Sequence, residues 1–207
     1  MTTPVLRFEP IPPKHPAAIE LGRLTGAQSA PVSVQYRPLA QIGMCYWNVE
    51  SHIRESGGQM VLGWLLSWWP DLYAQAMHHA VWQQPGGELV DISRGYSRYA
   101  GFATTTFVED ASQPVDLSVG IMPESLFLAL DGDRLVSDKV AASRELTKLD
   151  RLVAIERANC GVRHDVPFHG TISPALQAIA DRRELVRNKN DATLVELMKW
   201  DDRGRRP

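Results

Sequence analysis

The chain has 207 residues, of which 44% are hydrophobic and 22% charged, with a net charge of −2. That is enough for one good-sized domain with room for an appendage, and ordinary for a water-soluble globular protein. So small a charge sets up no global field that would recruit nucleic acid or anionic lipid, and the basic tail of Arg203, Arg205 and Arg206 reads as a solvated terminus. The two cysteines, Cys45 and Cys160, make neither a disulfide framework nor the paired spacing of a zinc knuckle. No basic-then-apolar leader opens the sequence, and the longest apolar run, Met60 to Trp69, is strand-sized. No membrane contact is therefore expected. A cytoplasmic, reducing location is the expectation, and it would keep a thiol usable.

Prolines 4, 10, 12, 13, 16 and 31 fall within residues 1–31. Such density removes amide donors and favours extended backbone, so this stretch reads as an arm laid along the domain, with a short helix at Ala17–Leu24. Val32–Tyr36 alternates as a half-buried strand does. Cys45–Glu55 predicts a helix with Tyr46, Val49 and Ile53 on one face, ended by Gly57-Gly58. Three strands follow at Met60–Trp68, Tyr73–Gln83 and Glu88–Ile92. Pro70-Asp71 marks the first turn and Pro85-Gly86-Gly87 the second, the strongest hairpin signal in the chain. Gly101–Glu109 reads as a further strand, and Leu126–Leu130 with Arg134–Val136 as a hairpin around Asp131-Gly132-Asp133. Val140–Ala158, Ser173–Lys189 and Ala192–Trp200 carry helical patterns.

The chemistry concentrates in Met44–Ser93. A thiol is mostly protonated at neutral pH, and a helix N-terminus and an imidazolium partner both favour thiolate. Cys45 opens a helix whose first amides could also hold an oxyanion. His78 and His79 sit in a strand, so alternation sends them to opposite faces. His79 is the preferred base. Asp91, across the Pro-Gly-Gly hairpin, can accept the second imidazole N–H and fix the ring's tautomer. It falls level with residues 80 to 82, and one residue of slip decides which histidine it serves. Asn48, one turn after Cys45, either bonds near the site or holds the helix to the sheet. His52 reads as structural, and Trp64, Trp68, Trp69 and Trp82 as core or groove walls. Arg163, His164 and His169 form a second polar cluster between helices, read as solvated loop.

The run resembles the core of papain-like and transglutaminase-like cysteine enzymes, in which a cysteine opens a helix, a histidine lies in the following antiparallel sheet and an Asp or Asn in the next strand. It also resembles a group of uncharacterised bacterial and phage proteins with a C-x-x-N-V helix start, a G-W strand, H-A-V-W and D-[IV]-[ST]. Here these are Cys45–Val49, Gly63-Trp64, His79–Trp82 and Asp91–Ser93. The resemblance implies catalytic roles for Cys45, His79 and Asp91. Papain-like enzymes also place a glutamine a few residues before the nucleophile as an oxyanion donor; Gln41 stands near that position, though not at the usual spacing. The Cys-to-His interval is short for papain and nearer the transglutaminase range.

The expected architecture is α+β: the Cys45 helix on an antiparallel sheet, with C-terminal helices. The expected organisation is an arm at 1–31, a core at 32–136 and a helical region at 137–207. The leading expectation is a thiol hydrolase or acyltransferase acting on a peptide or another amide or ester through a Cys45 acyl-enzyme, without a cofactor. Two others stand beside it: a zinc-dependent hydrolase with Cys45, His78 or His79, and Asp91 as ligands, and a non-catalytic binding module on the same fold.

Overall fold

The computed structural model describes residues 8–39, 43–93, 101–113, 115–163 and 172–202. In chain order these form β1 (Glu9–Pro10), α1 (Pro16–Thr25), β2 (Val32–Tyr36), α2 (Cys45–Ser56), β3 (Gln59–Trp69), β4 (Tyr73–Gln83), β5 (Leu89–Asp91), β6 (Thr104–Glu109), β7 (Leu126–Ala129), α3 (Arg134–Asn159) and α4 (Pro174–Asp202). They divide into two compact units. One holds the seven strands with α1 and α2; the other holds α3, α4 and residues 115–125.

In the first unit β3 and β4 form a long antiparallel hairpin, paired from Gln59↔Gln83 to Trp69↔Tyr73. The sheet then runs β1-β3-β6-β2-β5-β4-β7, and because β3 also pairs with β4, five of the strands close on themselves as a small barrel. Closure depends on one pairing that departs from the antiparallel expectation. β2 and β5 run parallel, with Gln35 opposite Val90 and Tyr36 opposite Asp91. The three strands that follow α2 are antiparallel to one another, as read from the turns. The segment between β2 and β5 holds α2 and the whole β3–β4 hairpin, so the two strands are neighbours in space and far apart in sequence.

Alternation along these strands separates two apolar layers. Val34, Val61, Val81 and Phe107 come from four different strands and fill the barrel interior. Trp64, Leu66, Ala74, Ala76 and Val108 face outward and are covered by Ile11, Ala17, Ala18 and Leu21. Residues 8–22 therefore contribute packed side chains to the core and are not laid on as an arm, while most of 23–31 is exposed. Ile11, Ala18 and Leu21 are fully buried. Proline here starts a helix: Pro16 follows His15, whose side chain caps by accepting the Ala17 N–H at 3.1 Å.

Two glycines meet steric demands. A Cβ on Gly63 would lie 2.1 Å from the Val108 carbonyl oxygen and 2.6 Å from the Phe107 ring, so only glycine lets β6 approach at this point. Gly58 has φ +86°, and a Cβ there would meet the Gln83 carbonyl at 2.2 Å. It turns the chain from α2 directly into β3.

The second unit corrects two expectations. Residues 134–136 begin α3 and do not form the second arm of a hairpin, because Asp133 acts as N-cap and accepts the Leu135 N–H at 2.7 Å. β7 pairs instead with β4, Tyr73 opposite Ala129. The two helical patterns after residue 173 form one continuous helix, α4. Asn190 does not break it, because its side chain is drawn into a buried polar cluster. Lys139 Nζ donates to Asn190 Oδ1 and to Ser143 Oγ, each at 2.7 Å. Along α4, Arg183 pairs with Asp150 whereas Asn190, farther on, bonds Lys139 and Ser143, so the two helices run antiparallel.

Each unit yields an expected outcome. Gly63→Ala should destabilise the barrel by about 1–3 kcal/mol or more, because the obstacle is backbone and cannot rotate away, and chemical denaturation would measure it. Asn190→Ala removes an acceptor from a buried ammonium and should cost about 1.5–3 kcal/mol, read as a lower unfolding midpoint of the helical signal. An unchanged midpoint would show that the cluster contributes no net stability.

Candidate active site

α2 begins at Cys45, and the residue before it, Met44, provides no side-chain cap. The first-turn amides are thus not consumed by a capping group, which leaves the positive end of the helix facing the cysteine. α2 packs on β4 and β3. β4 is bonded to β7 through residues 73–76 and to β5 at 82 and 83. Between those stretches, among the described residues, no strand covers that edge of β4. The two histidines lie in this interval, and the first two residues of α2 meet one each.

His79 faces the barrel interior. Its Nε2–H donates to Asp91 Oδ1 at 3.0 Å. Asp91, 2% exposed, is itself held: Oδ1 accepts the Ser93 N–H at 3.1 Å and Oδ2 accepts the Thr105 hydroxyl at 3.3 Å. The Cys45 sulfur lies within hydrogen-bond reach of the same ring. With Nε2 committed to Asp91, Nδ1 is the nitrogen left for the thiol. The register settles which histidine Asp91 serves. Trp82 pairs with Val90, so Asp91 comes level with Val81, and Val81 and His79 share a face. The carboxylate therefore reaches His79 on the diagonal and is turned away from His78.

Electrostatics separates the two rings. Burial opposes charge on His79, but the Asp91 carboxylate and the Cys45 sulfur outweigh it and raise the ring well above the ordinary histidine range. His79 is thus an imidazolium through neutrality, with a carboxylate on one side and a thiol on the other. His78 goes the other way. Burial pushes it down to about 4; Asp110 resists this and His79 adds to it. His78 is a neutral ring at physiological pH and unsuited to stabilise a thiolate.

The outer face around His78 is apolar and closely filled. Tyr46 Oη and His78 Nδ1 share a hydrogen bond of 2.8 Å, while Trp64 meets the ring edge-on with centroids 5.0 Å apart. Trp64 Nε1 donates to Asp110 Oδ2 at 2.9 Å. At the other end of α2, Trp82 Nε1 donates to the Gly57 carbonyl at 2.9 Å and His52 packs edge-on against the Trp82 ring. These tryptophans are core and anchor, and His52 is structural.

Of the other expected residues, Asn48 is half-buried, one turn from Cys45, its N–H bonded to the Met44 carbonyl. Gln41 lies outside the described residues, as do His164 and His169, while Arg163 is exposed. Three contributors escaped the sequence reading. Ser93 had a signal in Asp91-Ile92-Ser93, since an aspartate often accepts the N–H two residues on. Tyr46 was counted only as an apolar face residue, and Thr105 is one of three consecutive threonines with nothing to distinguish it.

Among the described residues, no three His, Cys, Asp or Glu side chains are grouped so as to hold a metal ion, and no helix is long and apolar enough to cross a membrane. No protein-family model, curated protein or solved structure matches the chain.

The raised His79 gives a pH dependence with a definite sign. A ring whose folded pKa exceeds its unfolded value of 6.5 stabilises the fold fully below that value and loses the contribution as pH rises through the folded pKa. Asp91→Asn leaves burial in control and should bring His79 down. The stability advantage of the parent over Asp91→Asn should be largest near pH 6 and narrow above neutrality, by about 1.4 kcal/mol for each unit of the lost elevation. Urea unfolding at pH 6 and pH 9 measures it. A difference independent of pH would mean that Asp91 does not control the charge on His79.

Proposed function

We propose that the protein is a thiol hydrolase or acyltransferase that acts on an amide or ester through an acyl-enzyme on Cys45. The observation that carries this reading is that one ring, His79, receives the Cys45 sulfur and the Asp91 carboxylate together. The Cys45 thiolate attacks the substrate carbonyl carbon and forms the C–S bond, and the carbonyl π electrons move onto oxygen. The uncapped first-turn amides of α2 are the nearest preorganised donors for that oxyanion. As the tetrahedral adduct collapses, the C–N or C–O bond breaks and the His79 imidazolium gives its proton to the leaving group. Water, or an amine or alcohol, then attacks the thioester with its proton passing to His79. The acyl group leaves as acid, amide or ester, and the thiolate–imidazolium pair is restored. Asp91 keeps Nε2–H directed at itself throughout and so presents Nδ1 to the sulfur.

The zinc reading is less well supported, since the three donors bond to one another in a chain and do not converge on a common point. The binding-module reading makes a different experimental claim, that Cys45 is an ordinary thiol.

Cys160 supplies the control. It is the C-cap of α3, where the helix dipole disfavours thiolate, and it is half-buried as Cys45 is. Alkylation by iodoacetamide, followed for each cysteine by peptide mass spectrometry across a pH series, should label Cys45 well below the pH at which Cys160 reacts. His79→Ala should abolish the low-pH labelling, and turnover of an activated amide or ester should fall about 10²–10⁴-fold. Equal labelling of both thiols in the parent, unchanged by His79→Ala, would make Cys45 a core residue and end the proposal.

A further inference from the structure

Resting on the thiol reading, we infer that Met77 is a specificity-determining residue: it receives a short apolar chain attached beside the scissile bond, so the amides or esters opened by Cys45 carry such a chain. The first observation is exposure. Among the described residues of β4, every one from Tyr73 to Trp82 is buried except Met77. The pairing of β4 with β7 ends at Ala76, and its pairing with β5 involves Trp82 and Gln83. Met77 is thus the first residue past the β7 contact, and it is the β4 side chain that solvent reaches there.

The second is position. Side chains two residues apart on a strand share a face about 7 Å apart, so Met77 stands next to His79 in the row that looks toward the barrel interior. The register agrees. Met77 lies opposite Leu65, and Leu65 opposite Phe107, a residue of the interior layer. Cys45, at the same imidazole, is half-buried as Met77 is. A carbonyl carbon bonded to the Cys45 sulfur beside His79 is then within reach of the Met77 side chain through a few further carbon atoms.

The third is chemistry. Met77 is apolar and adaptable in shape, and Leu65 and Phe107, both buried, stand behind it in the same layer. The next residue along the row, Gln75, donates through Nε2 to the Met77 sulfur at 3.7 Å and to Ser67 Oγ at 2.9 Å. Gln75 and Ser67 are buried and pair across the two strands. The apolar stretch is therefore one side chain long, closed by a polar pair at one end and by the His79 ring at the other. It suits an uncharged chain on the order of four carbons, given the spacing of side chains along a strand. A cationic chain would be repelled by the His79 imidazolium. A much longer one would meet the Gln75 amide.

Two chain-length ratios measured on the full-length protein test this. One is kcat/KM for p-nitrophenyl pentanoate over p-nitrophenyl acetate. The other is the partition of the acetyl-enzyme, formed from the acetate ester, toward pentylamine over ethylamine, two amines of equal basicity. The parent should favour the longer chain in at least one of the two by about tenfold or more. Met77→Ala, and the similarly sized but polar Met77→Gln, should lower that ratio by about fourfold for each methylene the side chain covers. Met77→Leu should keep it. Being ratios, these readings do not depend on the fraction of protein that is folded and active. Loss in the ester series assigns the chain to the acyl half of the substrate, and loss in the amine series to the leaving-group half. A parent without chain-length preference in either series overturns the inference, as does a preference that Met77→Ala and Met77→Gln both leave intact. If the parent labels Cys45 with iodoacetamide no more readily than Cys160, the thiol reading fails and this inference falls with it. Selective labelling of Cys45 without a chain-length preference overturns this inference alone.

Discussion

Adjacent residues in a strand must point to opposite faces, and in this protein that constraint organises the whole site. His78 and His79 are chemically identical and neighbours in the chain, yet one faces a polar pocket inside a barrel and the other an apolar layer beneath a helix. Neither needs a special backbone conformation for this. The pleat sends one ring toward Asp91 and Thr105 and the other toward Tyr46 and Trp64. Everything else in the first unit serves to hold β4 where both rings meet their partners: the hairpin with β3, the closing strand β5, and the helix that begins over the uncovered stretch of edge.

The same division produces the electrostatics. Two imidazoles this close cannot both be charged cheaply. Asp91 and the Cys45 sulfur place the charge on His79, and burial without a carboxylate partner keeps His78 neutral. A neutral neighbour suits the charged ring, because a second imidazolium at position 78 would repel it and favour its deprotonation. The apolar character of the outer layer therefore bears on the chemistry as well as on packing. It sets the protonation state of the residue next to the charged ring.

Much of this was legible in the sequence, for reasons that can be located. The Pro85-Gly86-Gly87 turn and the 11-residue β4 bring Asp91 to the right level, and Gly57-Gly58 marks the end of α2. Register was the part that local signals left open by one residue. It is fixed by the β4–β5 pairing of Trp82 with Val90, a property of the assembled sheet. The parallel β2–β5 seam was illegible for a similar reason: each strand alternates normally, and nothing local says which neighbour it will take. The packing of residues 8–22 was obscured by proline density, which signals extended backbone but also suits a helix's first turn. The hairpin expected at 126–136 gave way to a capping aspartate, and the break expected near Asn190 gave way to a buried lysine that draws the asparagine inward. In both cases a side-chain hydrogen bond outweighed a turn-like composition.

The barrel's closure across β2 and β5 bears on when the charge on His79 is fixed. Hairpins such as β3–β4 form from neighbouring segments and need little loop closure. The seam joins segments far apart in the sequence, and its closure carries a larger entropic cost. Asp91 belongs to that seam: it is Tyr36's partner across the parallel pair, and its carbonyl accepts the Arg37 N–H. Until the seam closes, nothing fixes the carboxylate that holds the charge on His79. A chain in which the seam is open therefore lacks the charged ring beside Cys45, however much of the β3–β4 hairpin has formed. The charge on His79 is in this way a property of the closed barrel and not of the hairpin that carries the ring.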